Sequence, residues 1–346
     1  MRVKSFIKVI FSIPLLSSCY STVPVEGNIG SSDTPMHINN YFSQSDVVTL
    51  DEDSCMVLGG ASCAHYDNGK YYLLDDKYEK LVSFDEFGKS KAGYINKGNA
   101  SDEYIKILDF DVDSDSVYVL CYPQKIFVLN NELKFKSKID VPTGASRITI
   151  WRNKLYVYFG ENRSVSIYNN SNWEELIQEG CLPACPKVGV PVFFKTKNEM
   201  YYCAEGGNTI YEVKKNELLP FFSLTYPNQI NIEDRIAQRK ILDFDERLSM
   251  SPPFIYSMIE TGGSLLITYS LGGIFRACTI DLETKSLTQD GYWCGKFPFP
   301  KSQIGNDCFS TSFVSLEDFP IDTLLIKVNH DDKNLENGSF TIIKYR

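Results

Sequence analysis

The sequence returns about six times to one phrase: a short polar turn, an aromatic-rich strand, a polar loop and a second apolar strand. Clear copies are Asn68–Asp75 followed by Leu81–Asp85, and Asn153–Tyr158 followed by Val165–Tyr168. A unit of this size cannot bury its apolar face alone and buries it against neighbouring copies of itself. The repeat therefore predicts an all-β fold, a six-bladed β-propeller.

One residue taken from each copy measures the period of the repeat. Successive anchors lie between 38 and 65 residues apart, close to the roughly 40 to 50 residues of propeller repeats. The anchors are Tyr72, Tyr118, Tyr156, Tyr201, Leu266 and Leu325. The alternative is a β-sandwich, or two small β-domains, with evenly spaced strands.

The last copy of the repeat stops after its third strand, so one outer strand is missing. The segment 46–50, just before the first copy, has the composition of a strand. A propeller needs a device that joins its two ends. We therefore expect residues near 46–50 to pair with residues 340–345, so that the propeller domain covers residues 46–346.

Two segments lengthen the repeat after the fourth copy. Residues 226–251 have apolar positions at a roughly helical spacing and predict a short inserted helix. Residues 290–309 predict a second insertion, between the fifth and sixth blades. Insertions of this kind gather on one face of a propeller, often the binding face.

The amino terminus has a basic end, a short apolar run and then Leu16-Ser17-Ser18-Cys19. The apolar run is too short to span a bilayer as a mature helix. The four residues resemble a bacterial lipobox, in which the chain is cut before a cysteine that then carries the lipid. We predict a lipoprotein signal peptide over residues 1–18 and lipidation of Cys19. The alternative is an ordinary signal peptide with an incidental cysteine.

Residues 19–45 are rich in Ser, Thr, Pro, Gly and Asn and show no periodicity, which predicts a flexible tether. The tether lacks a cluster of acidic residues just after Cys19, which would resemble a surface-export signal of lipoproteins. We therefore expect a protein of the bacterial cell envelope, lipid-anchored to the membrane and facing the periplasm rather than the outside.

The net negative charge of the chain disfavours some classes of binding partner. The chain has 35 basic and 44 acidic residues, and loss of residues 1–18 removes three of the basic ones, which leaves a net charge near −12. Nucleic-acid binding needs clustered Lys and Arg. We expect no nucleic-acid partner, a membrane contacted through the lipid anchor, and an unknown protein, peptide or glycan ligand.

Nine cysteines follow Cys19, and an odd number in an exported protein leaves at least one thiol unpaired. Cys121 and Cys203 lie in apolar strands and are interpreted as small core residues. The possible disulfides join cysteines in loops: Cys181 with Cys185, and Cys294 with Cys308. A zinc site is an alternative only if these four cysteines converge.

The stretch Leu58–Leu129 resembles the six-bladed β-propeller lipoproteins of Bacteroidetes, which are similar to NHL-repeat and TolB-like propellers. The similarity rests on Tyr71–Asp76, Leu81–Lys89 and Leu108–Asp113. The family loop Gly-x-Gly-Pro-Gly-Glu-Tyr is represented here only by Gly98 and Glu103-Tyr104. The resemblance implies a fold and an envelope location, and it supplies no catalytic residue.

Histidine is scarce, and no Ser/His/Asp or Cys/His arrangement is evident around His37, His65 or His330. His65 is interpreted as a packed strand residue. A ligand-binding face is predicted where the loops between second and third strands meet the interblade loops. Its candidate residues are Asp75, Asp76, Tyr78, Glu103, Tyr104, Tyr122, Glu161, Arg163, Glu205, Asn208 and Asp332.

Two functions remain open for this face. The first is a ligand-binding or protein-interaction module with no evident catalysis and no predicted cofactor. The alternative is a metal-dependent envelope hydrolase or lyase, similar to lactonase propellers, with Ca²⁺ held by carboxylates in the central channel. Asp and Glu that only cap turns would explain the same loops. Convergence of three or more of these carboxylates would favour the metal enzyme.

Overall fold

The computed structural model describes most of the chain, and all regular elements among the described residues are strands. The described residues are 24–37, 40–42, 45–51, 57–60, 63–178, 190–214, 216–226, 253–294, 302–304, 307–314 and 339–345. No helix within these ranges is long and apolar enough to span a bilayer.

Three short strands precede the repeats. They are β1 (Val25–Asn28), β2 (Pro35–His37) and β3 (Ser45–Thr49).

Each of the first three blades is a four-stranded antiparallel sheet in simple order. The strands of blade I are β4 (Cys63–Asp67), β5 (Lys70–Asp75), β6 (Lys80–Asp85) and β7 (Ser90–Tyr94). Those of blade II are β8 (Lys106–Asp113), β9 (Ser116–Tyr122), β10 (Lys125–Asn130) and β11 (Phe135–Asp140). Those of blade III are β12 (Ala145–Trp151), β13 (Lys154–Phe159), β14 (Ser164–Asn169) and β15 (Asn172–Gln178).

The last three blades each include a strand from the amino-terminal segment. Blade IV has β16 (Phe193–Lys195), β17 (Met200–Tyr202), β18 (Thr209–Lys214) and β19 (Glu217–Thr225), with β1 at its edge. Blade V has β20 (Phe254–Thr261), β21 (Ser264–Leu271), β22 (Ile274–Asp281) and β23 (Leu287–Cys294), with β2 at its edge. Blade VI has β24 (Ser302–Ile304), β25 (Asp307–Val314), β26 (Ser339–Tyr345) and β3.

The innermost strands of the six sheets form a closed ring. Each of β4, β8, β12, β16 and β20 contacts the innermost strand of the next blade, and β24 contacts β4. The predicted six-bladed β-propeller is therefore confirmed. The two strands predicted for the first copy, within Asn68–Asp75 and Leu81–Asp85, correspond to β5 and β6.

Alternation along the strands fills the spaces between blades. Tyr72 and Leu74 of β5 pack with Phe110 on the side of blade II, whereas Tyr71 packs with Ile342 on the side of blade VI. Successive side chains of a strand point to opposite faces of its sheet, so one strand contributes to two interblade cores. Most tyrosines of the repeat are therefore packing residues.

The predicted ring closure is confirmed. β3 pairs antiparallel with β26, from Thr49 opposite Thr341 to Ser45 opposite Tyr345. Just after β3, the Asp51 amide donates to the Gly88 carbonyl at 2.8 Å. Gly88 has φ +85°, and a Cβ there would lie 2.1 Å from the Thr49 carbonyl oxygen. Only glycine combines this backbone conformation with such a close approach.

The prediction of a flexible tether over residues 19–45 is wrong for residues 24–37, which we call the strap. Strand β1 pairs parallel with β19, and β2 pairs parallel with β23. Ile29 and Met36 are almost completely buried, Ile29 among residues of blades IV and V and Met36 against blade V. Ile29 and Met36 lie in a polar segment without a regular spacing of apolar residues. The sequence pattern therefore did not predict the strands beside them.

A buried polar cluster in blade V holds the turn of the strap. Asp290 accepts the Gly30 amide at 2.9 Å and the Ser32 amide at 3.3 Å, both through Oδ2. The Tyr269 hydroxyl donates to Asp290 Oδ1 at 2.5 Å, and Arg276 donates to the Ser32 carbonyl. Burial, followed by the nearby Cys278 and Asp290, raises the pKa of Tyr269.

The sequence analysis misplaced the second strand of the sixth blade. Its second strand is β25, whereas the predicted strand near Leu325 lies outside the described residues. Residues 290–309 are not an insertion, because they contain the end of β23, all of β24 and the start of β25. Strand β25 has three consecutive polar residues, Ser310-Thr311-Ser312, at its centre, so its sequence did not match the other copies of the repeat.

Other predictions concern residues that the structure describes only in part. The inserted helix at 226–251 lies outside the described residues apart from Tyr226, and so do Cys181 and Cys185. Cys294 ends β23 and Cys308 lies in β25, and their side chains are not described. Cys121 and Cys203 are buried, as predicted for core residues.

We predict that Ile29→Ala lowers the free energy of unfolding by about 2–4 kcal/mol, because it removes a fully buried side chain between two blades. Val25→Ala is the matched control, since Val25 belongs to the same part of the strap but is 43% exposed. Urea unfolding followed by tryptophan fluorescence measures both. Equal unfolding midpoints for the two variants would show that the strap does not stabilise the ring.

Candidate functional site

The loops of blades I and II meet at one end of the ring, where β5, β7 and β9 end and β4 and β8 begin. We call this surface the loop face; it comprises residues 57–60, 76–79, 95–105 and 122–124. It contains five of the predicted ligand-binding residues.

Asp75 organises the first of these loops. Its buried carboxylate accepts the Gly59 amide at 2.8 Å and the amides of Lys77 and Tyr78 at 3.1 Å. The Tyr78 ring lies over Gly59 and has the Lys80 ammonium 5.3 Å from its centroid. Asp75 is therefore a structural residue that presents a fixed, 48% exposed Tyr78 ring.

Gly98, Glu103 and Tyr104, which carry the family resemblance, build the interblade loop. The Glu103 carboxylate accepts the Ala100 amide at 2.8 Å and lies so close to Gly98 that a Cβ there would be 1.9 Å from Oε2. Tyr104 is completely buried, and its hydroxyl donates to the Glu79 carbonyl at 2.7 Å. Burial raises the pKa of Tyr104 to about 12. The Tyr104 ring therefore has no surface left for a ligand.

Several apolar side chains of the loop face are partly exposed. Val57 is 47% exposed, Ile105 42% and Tyr122 49%. The Ile105 amide donates to the Tyr122 carbonyl at 2.8 Å, and Lys80 donates to the Val57 carbonyl beside Tyr78. We call Val57, Tyr78, Ile105 and Tyr122 the apolar patch.

Two contacts join the parts of the loop face into one surface. Glu79, next to Tyr78, accepts the Ile107 amide at the start of β8 at 3.0 Å. Lys125 of blade II donates to the carbonyls of Ser101 and Glu103, at 3.0 and 2.6 Å. Because these contacts cross between the blades, the apolar patch is held as a unit.

Asp76 belongs to the loop face and is exposed. Other predicted face residues lie in blades III and IV, where Glu161 is exposed, Glu205 and Asn208 are half-buried, and Arg163 is buried. Asp332 lies outside the described residues. Within the part of the chain that the structure describes, no group of three or more His, Cys, Asp or Glu side chains is arranged to hold a metal ion.

A second polar cluster lies on the innermost strands and has Asp111 of β8 at its centre. Asp111 Oδ2 accepts the Thr149 hydroxyl at 2.8 Å and the Ile150 amide at 2.7 Å, both from blade III. Lys195 Nζ, from blade IV, lies 2.5 Å from the same oxygen. His65 Nδ1, from blade I, lies 3.4 Å from Asp111 Oδ1. One buried carboxylate thus connects the innermost strands of four blades.

His65 also contacts a cysteine on its own strand. Cys63 Sγ lies 3.4 Å from His65 Nε2, and the edge of the His65 ring packs on Phe110. Sequence reasoning placed His65 correctly in a strand but missed this Cys63–His65–Asp111 arrangement. The sequence signal that could have indicated the contact is a cysteine and a histidine two residues apart in a strand. This spacing puts both side chains on one face of β4. That Asp111 lies beside this pair could not be predicted from the sequence, because Asp111 belongs to another strand, β8.

Burial and neighbouring charges set the protonation of this cluster. The pKa of Asp111 is lowered because the Lys195 and His65 charges and several hydrogen bonds outweigh the effect of burial. Burial lowers the pKa of His65, against the Asp111 charge. Two residues from Asp111, burial raises the pKa of Asp109 to about 6, although Arg147 and the Ile148 amide oppose the shift.

Comparison with known proteins agrees with the architecture. A family model described as a 6-bladed beta-propeller matches residues 28–309. A crystal structure from Bacteroides fragilis, described as an exported protein, is 14% identical with a TM-score of 0.68 and covers 94% of this chain and 99% of its own. A DUF4221 family member from Bacteroides vulgatus is 9% identical with a TM-score of 0.53 and covers 88% and 96%. A comparison with curated proteins found no match.

We predict that Asp109→Asn flattens the pH dependence of stability between pH 4 and 6. The folded-state pKa of Asp109 is raised above its ordinary value of 3.8, so the native state binds more protons than the unfolded state and loses stability as the pH rises from 3.8 to about 6. The asparagine keeps an oxygen that accepts the Ile148 amide, and it carries no charge at pH 7. The free energy of unfolding of the variant at pH 7 should therefore exceed that of the wild type by on the order of 1–3 kcal/mol.

Urea midpoints measured from pH 4 to 7.5 test this, with the exposed Asp140→Asn on β11 as the control. The assignment fails if Asp109→Asn has the same pH profile as the wild type.

Proposed function

The chain belongs to the DUF5128 family of six-bladed β-propellers, and we propose that it is a lipid-anchored, ligand-binding module of the bacterial cell envelope. The observation that carries the proposal is the apolar patch, Val57, Tyr78, Ile105 and Tyr122, which is exposed on a rigid loop face. Most large apolar side chains of the repeat are buried between blades. Exposed apolar surface of this kind marks interaction sites.

The ligand that fits the patch best is a peptide segment of another envelope protein. Val57 and Ile105 provide aliphatic surface that suits apolar side chains better than sugar hydroxyls. The two tyrosines provide flat area with a polar hydroxyl, as in many peptide-binding sites. Asp76 and Lys77 beside Tyr78 are both exposed and provide polar partners at the rim.

The strap supports a membrane-proximal arrangement. Only a short stretch separates Cys19 from the first strap residue, Pro24, and it spans at most about 18 Å. The strap begins on blade IV, which lies across a six-bladed ring from blade I. The apolar patch on blades I and II is therefore on the side of the ring away from the anchor, where a partner has access to it.

We predict that Cys19→Ser releases the protein from the membrane fraction, because the lipid attached to Cys19 supplies the membrane affinity. Fractionation of a bacterial host that processes lipoproteins, with metabolic labelling by a palmitate analogue, measures the effect. Ser18→Ala, a small residue replaced by another, is the matched control and should remain labelled. A labelled, membrane-bound Cys19→Ser protein would contradict the assignment.

We predict that the double variant Tyr78→Ala, Tyr122→Ala loses peptide binding. The probe is a random peptide library displayed on phage, followed by fluorescence anisotropy with the enriched peptides. Removal of two exposed rings should weaken binding at least tenfold, or about 1.4 kcal/mol.

Phe87→Ala is the matched control, because Phe87 is 80% exposed at the opposite end of blade I. This variant should bind the peptides as the wild type does. No enrichment of peptides on the wild type, or equal binding by the double variant, would exclude the apolar patch as the binding site.

A further inference from the structure

The apolar patch has two halves, one on blade I and one on blade II, and beside each half lies an exposed lysine. The two sets are Val57, Tyr78 and Lys77 on blade I, and Ile105, Tyr122 and Lys106 on blade II. We propose that the patch binds an acidic, extended peptide, in which an Asp or Glu lies within two positions of each of two apolar side chains. This inference rests on the proposed peptide-binding function and names the chemistry of the peptide.

Gly59 brings the lysine and the tyrosine of the first half side by side. A Cβ on Gly59 would lie 2.6 Å from Cε2 of Tyr78 and 2.7 Å from Cδ of Lys77, so both side chains lie over the bare backbone of this glycine. The Lys77 ammonium is 5.5 Å from the centroid of the Tyr78 ring. A ligand that packs on the ring therefore has this positive charge next to it.

Strand pairing produces the same combination in the second half. Lys106 and Tyr122 are directly opposite each other in the antiparallel pair of β8 and β9. Opposite residues of such a pair project from the same face of the sheet, with their Cβ atoms about 5 Å apart. Ile105 is held at the same place, because its amide donates to the Tyr122 carbonyl at 2.8 Å. Each half therefore joins apolar surface to one ammonium group.

The two exposed lysines differ from neighbouring lysines that the protein already uses. Lys80 donates to the Val57 carbonyl, and Lys125 donates to two carbonyls of the interblade loop. Lys77 and Lys106, in contrast, form no salt bridge with any carboxylate among the described residues. Their charges are therefore left for a ligand.

The carboxylates around the patch are arranged differently from these lysines. Glu79 and Glu103 each accept a backbone amide of the loop face, at 3.0 and 2.8 Å. Asp76 is exposed, but its Oδ1 lies beside Gly60, where a Cβ would be 2.6 Å away. Opposite charges favour the correct partner and like charges disfavour the wrong one, so the lysines select an acidic peptide over a basic one.

An anionic membrane surface would offer the same negative charge. In the proposed arrangement, however, the strap begins on blade IV, across the ring from blade I, so the membrane that holds the anchor does not face the patch. An acidic segment of another protein can reach the patch in that arrangement. The peptide is therefore the occupant that we assign, and lipid binding is tested beside it.

The probes are the peptides that phage display enriches on the wild-type protein. Each is synthesised in three forms, with its own acidic residues, with Gln in their place and with Lys in their place, and fluorescence anisotropy measures the binding of each. Every acidic residue replaced by Gln should weaken binding roughly threefold, as expected for an exposed ion pair. The Lys forms should bind at least about tenfold more weakly than the acidic forms.

The double variant Lys77→Glu, Lys106→Glu should reverse this order and prefer the Lys forms, because like charges then meet the acidic forms. Lys136→Glu, Lys138→Glu is the matched control, since both residues are exposed on β11 and the net charge changes by the same amount. This control should keep the wild-type order. Urea midpoints close to that of the wild type show that the variants are folded.

Two results would overturn the acidic preference and leave the proposed function intact. One is a set of enriched peptides that need Tyr78 and Tyr122 but bind equally well in all three forms. The other is an unchanged order of binding in Lys77→Glu, Lys106→Glu.

Vesicles of phosphatidylglycerol test the lipid alternative, with the Cys19→Ser protein so that the predicted lipid anchor is absent. Binding to these vesicles that the two lysine substitutions abolish would assign the lysines to a membrane surface and overturn the inference. A failure to enrich any peptide would instead exclude the proposed peptide-binding function, and this inference with it.

Discussion

The pairing of β3 with β26 joins the two ends of a ring whose apolar cores lie between neighbouring blades. Among the described residues no apolar cluster spans the ring, so each interblade surface depends on the ring being closed. The Asp51–Gly88 bond extends this closure into blade I. The strap adds a further layer, since Ile29 and Met36 bury themselves at blades IV and V.

Around the axis of the propeller, carboxylate side chains accept hydrogen bonds from backbone amides of the innermost strands. Asp109 and Asp111 lie two residues apart on one face of β8 and accept the Ile148 and Ile150 amides of the next blade. Carboxylates thus occupy the position that another strand would have in an ordinary sheet. The same arrangement puts the negative charge of Asp111 beside His65 of blade I and Lys195 of blade IV.

Sequence reasoning predicted the parts of the fold that repeat. The anchors Tyr72, Tyr118 and Tyr156 all lie in second strands, because the alternation of a strand packed on both faces is visible locally. The second strand of blade VI and the strap were missed, since β25 lacks that pattern and parallel edge pairing needs only a few apolar anchors. At the loop face, Tyr78 and Tyr104 were indistinguishable in sequence, and only the fold exposes one ring and buries the other.

The order β1, β2, β3 along the chain also determines how the molecule responds to tension. A pull on the amino-terminal end loads β1 first, then β2, and reaches the closure between β3 and β26 only after both have detached. The Asp290 cluster must also release Gly30 and Ser32 on the way. The strap thus dissipates mechanical work outside the ring, and the six blades can stay assembled while the end of the chain is stretched.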